Sequence, residues 1–180
     1  NNIPTLNNFF DHQLAKIILK KYSYPKLLTA TNVFAHMTNL KSFMKGIKLL
    51  INRNGFFIFE NHYFENILKK IQYDTFYHEH VRTYSLHALI KLFETYNLNI
   101  NDAMKVSRYG GSIRVVVSKN DYKNKKRLNK ILLQEKKMGI FKKDLYNNFI
   151  MRVEKSRYKL LEILFKLKEK KAKIVAKGCP

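Results

Sequence analysis

Four consecutive side chains that donate, accept or exchange protons, Tyr77, His78, Glu79 and His80, form the segment of this sequence best suited to chemistry. Neighbouring side chains of a strand point to opposite faces, whereas a loop can bring several of them onto one ligand. A helical pattern precedes the segment and Ser85, a residue typical of helix N-caps, follows it, so a loop is predicted. Histidine changes charge near neutral pH, and two imidazoles beside a carboxylate therefore suit proton abstraction. A single histidine is more often a surface or packing residue, and it is the density of such groups in this segment that favours a chemical role.

Elements that could position this loop are indicated by apolar periodicity on its N-terminal side. The pattern predicts a helix near Asn8 to Lys21, a buried strand at Leu27–Thr31, a helix from Leu40 to Ile51 and a second buried strand at Phe56–Phe59. Strand, helix and strand at this spacing predict an α/β unit with a parallel sheet, in which ligands bind beyond the carboxyl ends of the strands. Asn32–His36 and Glu60–Tyr63 occupy those ends.

The sequence after the loop changes character. One more amphipathic helix is predicted over Leu86–Phe93, followed by two strands, Leu98–Ser107 and Ile113–Val117, joined through a turn that contains Gly110 and Gly111. Two long Lys-rich helices are then predicted, Asp121–Lys137 and Phe141–Lys173, and a short buried strand at Ala172–Ala176 with a turn at Lys177–Pro180. A strand gains stability only from neighbouring strands, so we expect the parent protein to continue past Pro180.

Composition narrows the class of protein. No apolar run approaches the roughly 20 residues of a membrane span, and the first residues do not resemble a signal peptide. We therefore expect a cytoplasmic protein without a membrane partner. Cys179 is the single cysteine, which excludes an internal disulfide and any Cys-x-x-Cys site in this chain.

The formal net charge of +22 invites comparison with nucleic-acid-binding proteins. Lysine supplies 28 of the 35 basic residues and arginine 7, although arginine is the residue that grips phosphate with two donors. Residues 119–180 hold 20 basic and 6 acidic residues, a net of +14, which leaves +8 for the first 118. Lysines on outer helix faces explain this excess as solvated surface, so a nucleic-acid partner is not favoured.

Three other functions remain open on the residues alone. A basic module that binds single-stranded nucleic acid is one, although no arginine-aromatic cluster supports it. A metal-dependent hydrolase is another, with His78, His80 and His62 as imidazole ligands, but the spacing is not that of a helical His-Glu-x-x-His site. A non-functional truncated remnant is the third.

Five ordered motifs carry a resemblance that covers nearly the whole chain. They are Ala30-Thr31-Asn32-Val33-Phe34-Ala35-His36, Gly55-Phe56-Phe57-Ile58-Phe59-Glu60, Tyr73-Asp74-Thr75-Phe76-Tyr77-His78-Glu79-His80, Tyr109-Gly110-Gly111-Ser112-Ile113-Arg114 and Lys177-Gly178-Cys179-Pro180. In this order and at these spacings the chain resembles the S-adenosylmethionine-dependent C-methyltransferases that act on nucleotide-linked keto sugars. The motifs are similar to that family's fourth and fifth strands, its active-site loop, its Gly-Gly-Ser-(Leu/Ile)-Arg hairpin and the opening of its C-terminal Rossmann-like domain.

The resemblance implies a fold class and a division of the chain. The fold class is α/β, a partial Rossmann-like class I methyltransferase sheet followed by a hairpin and long basic helices. Residues 1–118 would form the C-terminal half of the methyltransferase core, 119–172 a helical connector and 173–180 the start of a truncated C-terminal domain. The family's Gly-rich cofactor loop and its cysteine-rich segment are not found in this chain, so zinc is expected only in a missing N-terminal segment and the chain is expected to be a fragment.

The resemblance also implies a mechanism. In the family a base removes the proton from the carbon beside a sugar ketone, and the resulting enolate attacks the methyl group of S-adenosylmethionine. His80 would be the base, Glu79 would orient and charge-balance its imidazolium, Tyr77 would donate to the enolate oxygen and His36 would assist. Asn32 and Val33 would contact the cofactor, no residue would bind a metal, and the substrate contacts would be Tyr63, His78, Gly110 and Gly111.

Overall fold

The computed structural model describes residues 3–177, which form two compact units divided between Met138 and Gly139. The predicted turn residues Gly178, Cys179 and Pro180 lie outside the described residues. The first unit contains all the strands of the described chain: β1 (Leu27–Thr31), β2 (Phe56–His62), β3 (Asn99–Val106) and β4 (Ser112–Ser118). The helices of that unit are α1 (His12–Tyr22), α2 (Leu40–Leu50), α3 (Phe64–Lys70), α4 (Leu86–Glu94) and α5 (Lys126–Met138).

The four strands form one mixed sheet in the order β1-β2-β4-β3. β1 and β2 are parallel, as predicted for a strand-helix-strand unit, whereas β4 lies antiparallel to both β2 and β3. The predicted hairpin is therefore present, and β4 inserts between β2 and β3. The predicted α/β class is confirmed.

Side-chain caps set where three helices begin. Asp11, Asn39 and Ser85 accept hydrogen bonds from the backbone amides of Leu14, Ser42 and Ala88, at 2.8, 3.1 and 3.1 Å. Each cap satisfies an amide that has no partner within its helix. The predicted start of the first helix near Asn8 was wrong, because the Asp11 cap begins α1 at His12.

β1 is not the buried strand that its apolar sequence predicted. Its residues alternate between exposed and half-buried, and Leu27 is 53% exposed. The reason is its position at the edge of the sheet, where one side of the strand has no neighbour among the described residues. β2 lies between β1 and β4 and is buried as predicted at Phe57 and Phe59.

The core lies between one face of the sheet and helices α2 and α4. Its centre is a group of stacked aromatic rings in which Phe59 packs against Phe34 at 4.8 Å and against Phe93 at 5.5 Å. All three side chains are almost completely buried, and burial of each stabilises the fold by roughly 1.5–3 kcal/mol. This cluster fixes the end of β1 against β2 and α4.

A buried carboxylate, that of Glu135 on α5, binds four donors from other elements. Oε1 accepts from the Tyr63 hydroxyl at 2.7 Å and from the Leu86 amide at 2.6 Å. Oε2 accepts from the His87 amide at 3.1 Å and from His87 Nδ1 at 2.5 Å. Glu135 thus joins α5 to the first turn of α4 and to the residue that follows β2, and its negative charge is favourable at a helix N-terminus.

The second unit consists of α6 (Lys143–Glu169) and its flanking residues. The Tyr146 hydroxyl donates to the Ile140 carbonyl at 2.6 Å, which ties the start of the helix to the preceding turn. The buried strand predicted at Ala172–Ala176 is not formed: these residues are irregular, and Ile174 and Val175 are 49% and 77% exposed. A strand forms only where a neighbouring strand pairs with it, and the described part of this unit supplies none.

We expect Glu135→Ala to lower the free energy of unfolding by about 3 kcal/mol, since it leaves several buried donors without an acceptor. Glu94→Ala in α4 is the matched control, because its carboxylate is half-exposed and forms a surface ion pair with Lys91 at 3.1 Å. That control should change stability by less than about 0.5 kcal/mol. Equal effects of the two substitutions in urea denaturation would contradict the role of Glu135.

Candidate functional site

Three histidines from three separate segments converge at the carboxyl ends of β1 and β2. His36 ends the short 3-10 turn after β1, His62 is the last residue of β2 and His80 lies on the loop before α4. The His80 ring centroid lies 4.8 Å from that of His36 and 5.1 Å from that of His62. The parallel pairing of β1 and β2 brings the first two together, and the predicted loop delivers the third.

The orientation of the His80 ring is set by one hydrogen bond. Its Nδ1 lies 2.8 Å from the carbonyl oxygen of Thr75, and the His80 amide donates to the Tyr77 carbonyl at 3.0 Å. A carbonyl oxygen only accepts, so in neutral His80 the proton resides on Nδ1 and the lone pair on Nε2. His80 is therefore held in the tautomer that presents a basic nitrogen.

Tyr77 lies next to that nitrogen. Its hydroxyl oxygen is 3.4 Å from His80 Nε2 and 3.5 Å from Glu79 Oε2, and the two ring centroids are 4.4 Å apart. The hydroxyl has one proton, so it can donate to only one of these acceptors at a time. A hydrogen-bond donor thus lies beside a base, at a solvent-accessible position.

Three further contacts hold the loop against the rest of the unit. The Arg82 guanidinium donates to the carbonyl of Met37, immediately after His36. The Phe64 amide donates to the Tyr84 carbonyl at 3.2 Å, which continues a bridge between Tyr63 and Tyr84. Burial raises the pKa of Tyr84 to about 12, so its phenol is uncharged at physiological pH.

The tip of the β3-β4 hairpin completes the rim of the site. Gly110 and Gly111 adopt φ angles of 78° and 132°, which side chains disfavour. A Cβ on Gly110 would lie 1.7 Å from Gln72 Nε2, and one on Gly111 would lie 2.0 Å from Asn66 Nδ2. The two glycines therefore let the hairpin tip pack closely on α3 and the residues after it.

Tyr63 and two loop residues occupy positions different from those of the cluster. Tyr63 is completely buried with its hydroxyl bound to Glu135, so the predicted substrate contact through its side chain is not available in this structure. The His78 side chain is 82% exposed, and Glu79 lies 4.0 Å from His78 Nε2. Glu79 therefore contacts Tyr77 and His78, while the Thr75 carbonyl orients His80.

Asn32 and Val33, predicted to contact the cofactor, follow β1 directly. Asn32 has a positive φ of 55°, its amide donates to the Glu60 carbonyl at 2.9 Å, and its buried Oδ1 has no hydrogen-bond partner in the described chain. Val33 is 38% exposed and lines an apolar cleft of about 300 Å³ together with Phe10 and Phe43. Asn32 thus presents a buried acceptor at the residue that precedes the cleft-lining Val33.

Electrostatics favour a neutral imidazole at His62. Burial lowers the pKa of His62, and the neighbouring His80 and His36 lower it further because protonated imidazoles repel one another. Within residues 3–177, no group of three or more His, Cys, Asp or Glu side chains is arranged to hold a metal ion.

Two members of the cluster were not predicted as such. His62 entered the sequence interpretation only as a possible metal ligand, although its place at the end of a strand was the available signal. The Thr75 carbonyl has no side-chain signal at all, because a backbone group acts there. Tyr109 is a third addition: its ring centroid lies 5.9 Å from that of His62.

Comparison with known proteins defines the class. Residues 4–103 match the methyltransferase domain family and residues 107–180 match the C-methyltransferase C-terminal domain family. In the described part of the chain no helix is both long and apolar enough to cross a membrane.

The chain belongs to the methyltransferase domain family, whose model matches more than half of it. It is 27% identical over 164 residues to the C-methyltransferase NovU of Streptomyces niveus, a match that covers 90% of this chain and 39% of NovU. The chain thus spans about two fifths of that relative. A solved complex of the Haloferax volcanii Trm112 methyltransferase activator with a methyltransferase contains a chain that aligns with a TM-score of 0.45 and 10% identity, over 53% of this chain and 54% of that one.

We expect His80→Gln to raise the pKa of His62, because the variant removes one of the two imidazoles that repel its charge. NMR titration of the His62 ring would measure the change, with His12→Gln on α1 as the control that should leave His62 unaffected. An unchanged His62 pKa in the His80 variant would contradict the proposed coupling.

The lowered pKa also fixes a direction for stability. Between its folded pKa and the ordinary imidazole pKa of 6.5, His62 binds fewer protons in the folded chain than in the unfolded chain. Its contribution to stability is therefore complete above pH 6.5 and is lost as the pH falls through the folded pKa.

Proposed function

We propose that this chain carries the proton-abstracting half of a C-methyltransferase active site, and that its parent enzyme methylates a keto nucleotide-sugar through an enolate. One observation carries the proposal: the Thr75 carbonyl holds His80 Nδ1 at 2.8 Å, which leaves Nε2 as a free base beside the Tyr77 hydroxyl. The substrate class rests on the resemblance of the loop and hairpin motifs to the family that acts on such sugars.

His80 and Tyr77 would act together on the carbon acid. Nε2 of His80 takes the proton from the carbon beside the ketone, and the electron pair of the broken C–H bond moves to the carbonyl oxygen. The Tyr77 hydroxyl donates to that oxygen as its charge develops, an interaction that strengthens in the transition state. A positioned base contributes about 10²–10⁴ in rate.

Glu79 and His36 support the imidazolium that forms. The Glu79 carboxylate adjoins the Tyr77 hydroxyl, where its negative charge offsets the positive charge that develops on His80. The His36 ring packs on the His80 ring, with the two centroids 4.8 Å apart. It would assist by keeping the His80 ring in place.

The residues after β1 fit the cofactor of this family. Asn32 Oδ1 would accept from an amino group of S-adenosylmethionine, and Val33 would contact its adenine ring in the apolar cleft. When bound, the cofactor supplies an electrophilic methyl group. His78 and the backbone of Gly110 and Gly111 would contact the sugar nucleotide, since His78 is largely exposed and the glycines allow close approach.

Proton abstraction can be measured without a methyl donor, because an enolate that reverts in D₂O returns with deuterium. We expect the chain to accelerate exchange of the C–H beside the ketone of a thymidine-diphosphate-linked 4-keto-6-deoxyhexose. His80→Ala should slow that exchange by about 10²–10⁴, followed by NMR or mass spectrometry. His12→Ala, outside the cluster, is the control. Exchange at the normal rate in the His80 variant would sink its assignment as the base.

Tyr77→Phe should lower the maximal exchange rate by about 10² and leave the half-saturating sugar concentration nearly unchanged, because the lost hydrogen bond is made mainly to the enolate. The same exchange assay at several sugar concentrations separates the two quantities. A variant that loses only affinity would show that Tyr77 binds the ground state instead.

A further inference from the structure

We propose that Tyr109 determines how the keto sugar is held, its exposed ring acting as the platform against which the sugar packs while His80 faces the reacting carbon. This inference rests on the function proposed above and adds a residue to it. Three features of the hairpin tip support it: a disfavoured backbone conformation, a backbone held by hydrogen bonds on both sides and an exposed ring beside the histidine cluster.

Tyr109 adopts a left-handed backbone conformation, with φ of 51° and ψ of 40°, and it is not a glycine. Side chains disfavour this region because Cβ approaches the backbone, and glycine adopts it freely. The ring is also 63% exposed, so the conformation is not maintained by burial of the side chain. Folding alone would favour glycine at this position, and a strained residue beside a candidate site indicates a function for its side chain.

The residues around Tyr109 fix its position. The Gly111 amide donates to the Arg108 carbonyl at 2.8 Å and the Ser112 hydroxyl donates to the same oxygen at 3.3 Å. Lys70 Nζ donates to the Gly110 carbonyl at 2.5 Å, which joins the tip to the end of α3. The backbone of the tip is therefore held from both sides, which fixes where the Tyr109 side chain leaves the hairpin.

The Tyr109 ring lies at the edge of the histidine cluster. The Tyr109 ring meets His62 edge to face at 5.9 Å and 83°, and His62 in turn lies 5.1 Å from His80. A ligand bound at His80 Nε2 and extending past His62 toward the hairpin would reach Tyr109. An aromatic ring offers such a ligand a flat apolar surface for its C–H groups, and the phenol hydroxyl adds a polar contact at the rim.

The experiment is the deuterium-exchange assay on the whole chain with the same thymidine-diphosphate-linked keto sugar. Tyr109→Ala should raise the half-saturating sugar concentration about tenfold and change the maximal rate by less than about threefold. Tyr109→Phe should keep a half-saturating concentration near that of the unsubstituted chain. Tyr158→Ala is the matched control, since Tyr158 on α6 has the same exposure of 63%. Tyr109→Gly should lose affinity for the sugar to the same extent as Tyr109→Ala, and its melting temperature should equal or exceed that of the unsubstituted chain.

The outcomes separate this inference from the proposed function. If the unsubstituted chain catalyses exchange and Tyr109→Ala has an unchanged half-saturating sugar concentration, the inference about Tyr109 is overturned and the proposed function stands. If the unsubstituted chain catalyses no exchange, but saturation-transfer NMR shows sugar binding that Tyr109→Ala weakens and Tyr158→Ala does not, the inference about Tyr109 stands and the proposed function fails. If the unsubstituted chain does not bind the sugar, both the inference about Tyr109 and the proposed function are overturned. A lower melting temperature for Tyr109→Gly, or a change in the His62 titration without loss of affinity, would assign the ring a structural role instead.

Discussion

The first unit depends on the contacts of one buried carboxylate. Glu135 lies far along the chain from its partners, yet its two oxygens satisfy the hydroxyl of Tyr63 and the first amides of α4. Tyr63 directly follows His62, and α4 directly follows the loop that carries His80. The carboxylate therefore anchors two of the three segments that deliver histidines to the site, those of His62 and His80, and without α5 each would end in unpaired polar groups in the interior. In this sense α5 belongs structurally to the candidate site, although none of its side chains lines it.

The site itself is made by the convergence of short segments from separate parts of the first unit. β1 and β2 end at the same edge of the sheet because they are parallel, and this brings His36 and His62 together. The loop adds His80 with its own internal hydrogen bond to Thr75, and Arg82 ties that loop to the backbone after His36. The hairpin contributes Tyr109 through a tip packed on α3. Positioning is thus divided among a sheet edge, a loop and a turn, and each has its own physical constraint.

Local signals predicted most of the fold. Apolar periodicity located the strands and helices, and the Ser85 cap and the paired glycines marked element ends, because each of these effects acts within a few residues. The burial of β1 and the strand at Ala172–Ala176 were predicted wrongly, since both depend on neighbouring strands that a sequence window does not contain. Glu135 was missed for the same reason: among the lysines of α5 it resembles a solvated charge, and only the fold shows which amides it meets. The loop residues Tyr77 to His80 could be found from residue type alone, whereas His62 and Tyr109 required the three-dimensional arrangement.

The hydrogen bond between His80 and Thr75 has a consequence for sequence variation. The acceptor is a backbone carbonyl, so the identity of the side chain at position 75 does not affect the bond, and substitutions there should be well tolerated. The spacing is different, because five residues separate donor and acceptor and the turn between them closes through the contact of the His80 amide with Tyr77. An insertion or deletion of one residue between positions 75 and 80 would rotate the imidazole away from its carbonyl. The position of the His80 imidazole therefore depends on the length of this loop as well as on its amino-acid types.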